Sequence, residues 1–283
     1  MWGIIEDALI DSVKVLPVLF AAYIAIEYIE HKSSDKLIKG LGKFGIAGGA
    51  FLGCLPQCGF SAAASNLYAG RIISTGTLIA VFISTSDEAI PVLLSKPGNL
   101  NTIIMLIAVK MLIAIIAGVM ADYVFKGFFR KNTKEDIAGA IHKHVCIDCG
   151  CNDEHGIIKP ALKHTVNIFL FILLINLLLN ILISFAGENM SRILLNDNIL
   201  QPALAGIIGL IPNCAASIIL TQLFIEGSVS FGSVIAGLSS SAGVGLVVLF
   251  RTNRNITENV RIVAYIYIIS VLSGMAIIGM GIH

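Results

Sequence analysis

The chain has 283 residues, 56% hydrophobic and 13% charged, with a mean hydropathy of +0.88 and a formal net charge of +1. That balance excludes an ordinary soluble domain and leaves no basic excess for a nucleic-acid partner. The composition is that of an all-α polytopic membrane protein whose surroundings are the lipid bilayer.

The N-terminal stretch "MWGIIEDALIDS" is acidic and lacks a small-residue cleavage site, so it does not read as a signal peptide. Apolar runs of about 20 residues, enough to cross roughly 30 Å of hydrocarbon, lie near 8–30, 73–95, 101–125, 164–187, 228–250 and 261–282. Two further apolar regions, 44–71 and 199–226, are interrupted at Pro56 and Pro212. Their arms are too short to cross singly as long spans, so each region reads as a re-entrant hairpin or as two short spans. Either count leads to about ten membrane segments.

The two broken regions match one another. A shift of 156 residues lays Gly53–Leu94 on Gly209–Phe250 without a gap, and 12 of the 42 positions are identical, among them Pro56/Pro212, Cys58/Cys214, Ser61/Ser217 and Ser84/Ser240. Apolar composition raises chance identity but does not make the break residues coincide. The expected organisation is a first membrane repeat over 1–125, a Cys/His-rich linker over 126–163 and a second repeat over 164–283. With each broken region counted as a hairpin, 15 of the 19 Lys and Arg fall on one side, Lys14 and Lys110 within spans, and Lys96 and Arg192 outside. The positive-inside rule then sets both termini outside, the linker inside, and the second repeat inverted relative to the first, in a cell (inner) membrane.

Each repeat carries a second interruption, "STSDEAIP" at Ser84–Pro91 and "LSSSAGVG" at Leu238–Gly245. Small polar residues compete for backbone hydrogen bonds, so both helices are expected to unwind there. Hairpin tips and unwound helices meeting near the midplane would form a site, with half-helix N-termini favouring anions and exposed carbonyls favouring cations. Candidate substrate-binding residues are Gln57, Cys58, Ser61, Ser84, Asp87 and Glu88 in the first repeat. Asn213, Cys214, Ser217 and Ser240 are their counterparts in the second. Asp87 and Glu88 are the sharpest feature, because carboxylates inside a span usually mark an ion or proton path. An interfacial position in ordinary water is the plainer reading of that pair. With Lys110, centred in 101–125, they are the coupling candidates, Lys110 being equally readable as a structural partner for one of the carboxylates. Cys58 and Cys214 suit a soft metal or metalloid, or else pack as small hydrophobes, while Gln57 and Asn213 ligate or cap.

The linker sequence "HKHVCIDCGCNDEH" gathers Cys146, Cys149 and Cys151 with His142, His144 and His155. Thiolate and imidazole ligands suit a Zn-like metal ion, and a plain polar linker with incidental cysteines is the alternative. No cofactor is required by the membrane portion, and an oligomer is left open.

The stretch "GCLPQCGFSAAASNLYAGRIISTGTLIAVFISTSDEAIPVLLS", the linker followed by "GIIKPALKHTVNIFLFILLINLLLN", and "GLIPNCAASIILTQLF" together resemble the ten-span heavy-metal exporters labelled arsenic efflux proteins or manganese transporters. The resemblance spans nearly the whole chain and implies export of a metal or metalloid ion. The resulting expectation is a secondary transporter rather than an enzyme, with Mn²⁺ ahead of arsenite and Asp87 and Glu88 exchanging protons. No G-x-x-x-x-G-K-[ST] phosphate loop is present to support ATP hydrolysis by the chain itself. A second reading keeps the fold and carries an anion, phosphate or a small carboxylate, on half-helix N-termini and serine hydroxyls. A third makes the chain a membrane metal sensor or metalloenzyme built on the linker, which leaves the duplicated breaks unexplained.

Overall fold

The computed structural model describes residues 45–54, 59–85, 89–94, 100–124 and 200–281, with scattered helical positions between 13 and 24 and between 162 and 177. Every regular element among the described residues is a helix. The first set is α1 (45–53), α2 (Gly59–Ala69), α3 (Thr75–Ser84), α4 (Ala89–Leu94) and α5 (Leu100–Val119), which ends in one π turn at Met120–Val124. The second set is α6 (Gln201–Gly209), α7 (Cys214–Ile225), α8 (Phe231–Ser240), α9 (Val244–Thr252) and α10 (Ile256–Gly279). Adding 156 to the first five maps them in order onto the second five.

Local chemistry explains the boundaries. Ser74 caps α3 by accepting from the Thr77 amide, and Ser230 caps α8 by accepting from the Ser233 amide, the same hydrogen bond at the same offset. Helix α2 ends in a Schellman turn, with Ile72 N donating to Leu67 O and Arg71 N to Tyr68 O; Ser228 and Gly227 repeat both bonds at the end of α7. The left-handed residue of that turn is Gly227 (φ 74°) in one repeat and Arg71 (φ 62°) in the other. The last helix starts at Ile256, five residues earlier than the apolar run at 261 indicates. Asn255 accepts from the Glu258 amide three residues on, a capping arrangement that draws Glu258 and Arg261 into the helix although they lower its hydropathy.

Packing repeats as faithfully as the boundaries. A Cβ on Gly53 would meet Val81 O at 2.6 Å and also Ser84, while one on Gly209 would meet the corresponding Gly237 carbonyl and Ser240. Gly76 faces Gly118 and Gly232 faces Gly274, so α3 lies backbone to backbone on α5, and α8 on α10. Glycine is needed at these crossings because no side chain fits between the carbonyls.

Between repeats the contacts are reciprocal: α2 packs on α9 and α7 on α4, α3 touches α10 and α8 touches α5, while α3 and α8 touch each other. Exchange of equivalent partners is what a pseudo-twofold relation produces.

Four stretches are long and apolar enough to cross a membrane: Thr75–Leu94, Leu100–Tyr123, Phe231–Thr252 and Ile256–Gly279. The two broken ones are 73% and 89% buried in protein, against 39% for each of the two continuous ones. Interrupted backbone is thus kept away from lipid, where its freed groups would go unsatisfied. The continuous helices turn outward, and their exposed apolar residues obey the same offset: Ile104, Leu112 and Ile116 on α5, Val260, Ile268 and Leu272 on α10. The chain is a multi-pass membrane protein.

Candidate functional site

The interruptions fall where the sequence analysis expects them. Helix α1 ends before the Pro56 break and α2 resumes at Gly59; α6 and α7 flank Pro212. Helices α3 and α8 stop at Ser84 and Ser240, and the chain resumes as α4 at Ala89 and α9 at Val244. Gln57, Cys58, Asp87 and Glu88 lie outside the described residues, as do the linker residues His142, His144, Cys146, Cys149, Cys151 and His155. The Cys214 backbone opens α7, and its side chain is also outside the description.

Beside the first break, Ser61 is fully buried in the opening turn of α2. A Cβ on Gly245, at the start of α9, would lie 2.8 Å from Ser61 Cβ and 2.9 Å from the Phe82 ring. Ser65 Oγ stands 2.7 Å from Gly245 O and 3.0 Å from Ser61 O, sharing one hydroxyl hydrogen between the repeats. The second break is built likewise. Asn213 is the N-cap of α7, its Oδ1 accepting from the Ala215 amide at 2.9 Å, and Ser217 Oγ lies 3.2 Å from Ser241 Oγ in the α8–α9 interruption. Of the two roles expected for Asn213, capping is therefore present.

Ser84 and Ser240 hydrogen-bond to backbone carbonyls. Ser84 Oγ donates to Val81 O at 3.1 Å; Ser240 Oγ stands 2.9 Å from Gly237 O and 2.8 Å from Gly206 O.

Lys110 carries a charge in the middle of the fold. It occupies the middle of α5 with no exposed surface, and its Nζ donates to Thr85 O and, at 2.9 Å, to Leu238 O. Thr85 is the C-cap of α3, and Leu238 lies in the last turn of α8, whose carbonyls have no helical amide ahead of them. One ammonium thus joins the C-terminal ends of both half-helices, so the two interruptions are neighbours. Each helix C-terminus carries about half a negative charge, and two of them match one lysine.

Two polar clusters lie away from the breaks. Glu258 Oε1 accepts from the Tyr68 hydroxyl and lies 3.5 Å from Arg71 Nη1, tying the end of α2 to the start of α10. The Glu258 Oε2 atom is buried without a hydrogen-bond partner among the described residues. In the π turn, Asp122 accepts from the Gly76 amide at 2.7 Å and from Ser74 Oγ at 2.5 Å, securing the N-terminus of α3 beside a cavity of about 290 Å³. Among the described residues no three His, Cys, Asp or Glu side chains gather closely enough to hold a metal ion.

Ser65, Tyr68, Arg71, Asp122 and Glu258 are residues of these clusters that the sequence analysis does not name, and Thr85 and Ser241 appear there only as parts of the interruptions. For the hydroxyls the signal is conservative matching at the 156 offset, Ser65 with Thr221 and Thr85 with Ser241, where they are kept without identity.

The model of a family described as "Putative, 10TM heavy-metal exporter" matches residues 3–195 and 177–281. No curated protein and no solved structure matches the chain.

Proposed function

Because this chain belongs to the family of putative 10TM heavy-metal exporters, we propose that it is a secondary active transporter that expels a heavy-metal ion at the meeting point of its breaks. The observation that carries the reading is the pair of carbonyls, Thr85 O from one repeat and Leu238 O from the other, held on a single Lys110 ammonium. Alternating-access carriers place substrate and coupling ions where discontinuous helices of two repeats converge. Reciprocal packing of α2 on α9 and α7 on α4 supports a pseudo-twofold axis, and the distribution of Lys and Arg supports one lying in the membrane plane. In this arrangement the repeats are inverted, both termini face outward, and the 126–163 linker faces the cytoplasm of a cell (inner) membrane. The linker thiols and imidazoles collect a Zn-like metal outside the transport path.

Mn²⁺ is the first cargo, held by oxygen from Asp87 and Glu88, which follow Thr85 in sequence and also exchange the protons that drive efflux. Arsenite is the second cargo, taken by the thiols of Cys58 and Cys214. One observation favours it: Lys110 already occupies two break carbonyls that a hard cation would otherwise use.

Transport into vesicles of defined orientation, with Mn²⁺, arsenite and phosphate compared, tests the reading. With Mn²⁺ as cargo, Asp87→Asn abolishes flux and Cys58→Ser is mild. With arsenite the order reverses, and Cys214→Ser is also severe. An anion carrier instead moves phosphate and responds at Ser61 and Ser217. Normal flux of every substrate in well-folded Asp87, Cys58 and Cys214 variants sinks the midplane site.

A further inference from the structure

We infer that Lys110 is a tethered cation that permanently fills the cation position at the crossing of the two broken helices, so that the transporter needs no Na⁺ there. Unwound carbonyls and half-helix C-termini are the groups that coordinate a coupling Na⁺ in discontinuous-helix carriers. In this chain those groups are Thr85 O, beyond the end of α3, and Leu238 O, in the last turn of α8. The Nζ atom of Lys110 hydrogen-bonds to both and has no exposed surface.

The charge arithmetic explains why a cation must be present. Two helix C-termini together present about one negative charge, and the orphan carbonyls face no bulk water. An ammonium supplies one positive charge and three donors directed from a fixed root, whereas Na⁺ would need oxygen ligands on several sides. The tether also fixes the count, because a covalently held cation cannot leave when the site opens.

The chain's own symmetry supports this assignment. The residue matching Lys110 in the second repeat is Ile266, buried and apolar. A structural lysine serving each break would be expected twice, once per repeat. One lysine that contacts both breaks is what a single shared cation position requires. The consequence for coupling rests on the transporter reading above; the occupancy of the carbonyls does not.

The test is a thermal-unfolding series on the purified full-length protein, which requires no knowledge of the cargo. For the natural chain, replacing NaCl by choline chloride at equal ionic strength should leave the Tm unchanged; a Na⁺-specific rise would show an unfilled cation site and overturn the inference. Lys110→Ala should lower the Tm by about 5–15 °C, the scale of an uncompensated buried polar cluster. Millimolar propylammonium or ethylammonium should recover a large part of that loss, and Na⁺ a smaller part. Tetramethylammonium, equally charged but unable to donate a hydrogen bond, should recover none. Equal recovery by all ions, recovery by none, or a Lys110→Ala Tm equal to that of the natural chain would overturn the inference. If Lys110→Ala does not fold, the Na⁺-for-choline comparison on the natural chain decides the matter alone. Vesicle flux is a separate measurement, so a failed cargo assignment does not alter this result.

Discussion

Replacing Arg71 by glycine sets two opposing effects against each other. Arg71 holds φ at 62°, a left-handed conformation that costs a non-glycine residue roughly 1–2 kcal/mol. The matching position in the second repeat is Gly227, so the turn accepts glycine without rearrangement. Part of the relief is cancelled by glycine's greater freedom when unfolded, about 0.5–1 kcal/mol, leaving a gain of about 0–1.5 kcal/mol, centred near 1. On the other side stands Glu258, 4% exposed, which loses its guanidinium partner. Breaking a buried pair costs about 3–5 kcal/mol; the 3.5 Å separation and the remaining Tyr68 hydroxyl place this case near 3. Arg71→Gly should therefore destabilise by about 2 kcal/mol despite relieving the backbone. Thermal unfolding of the purified protein would show this as a Tm lowered by roughly 4–8 °C. Glu258→Gln in the same background should recover part of the loss, and the double-mutant cycle should give a coupling of about 1–2 kcal/mol. A glycine variant as stable as the natural chain, or a cycle whose terms simply add, would refute the reasoning.

Gly209→Ala should prevent normal accumulation of folded protein, because its methyl group would overlap the Gly237 backbone, whereas Gly48→Ala, with nothing within 4 Å, should be neutral; detergent-solubilised yield and gel-filtration profile compare the two. A single cysteine placed at 140 in a cysteine-free background should resist impermeant thiol reagents in intact cells, and ready labelling would reverse the proposed topology. Substituting Cys146, Cys149 and Cys151 together by serine should weaken Zn²⁺ binding by the full chain and leave maximal flux largely intact. Complete loss of flux in a well-folded triple variant would move the linker into the pathway.

The repeat and its breaks are legible in the sequence because each demands particular residue types. Proline ends a helix, serine caps one, and glycine allows two backbones to touch, so Pro56/Pro212, Ser74/Ser230 and Gly76/Gly232 survive in both halves. The lysine at 110 is legible as a buried charge, but its acceptors are not, since Thr85 O and Leu238 O are main-chain atoms that any residue carries. The Arg71–Glu258 tie joins residues separated by 187 positions, and both stand at or beyond the edge of an apolar run, where a charge is not conspicuous. At the 156 offset Arg71 stands against Gly227, and the structure gives the reason for the bulky residue: its guanidinium reaches Glu258, outside its own turn. The early start of α10 escaped hydropathy because a capped first turn is polar by construction.

The two glycine crossings divide the molecule mechanically. Where Gly76 meets Gly118 and Gly232 meets Gly274, main chains approach closely through their carbonyls, so α3 with α5 and α8 with α10 behave as two welded struts. On the transporter reading proposed above, displacement that exposes the breaks first to one side and then to the other would have to be taken up elsewhere. Among the seams between the repeats are those where α2 meets α9 and α7 meets α4, the first of them lined by small hydroxyl-bearing side chains, Ser61 and Ser65. Helices α1 and α6 are held to α3 and α8 in the same way through Gly53 and Gly209, so on that reading the motion would fall to α2 against α9 and α7 against α4.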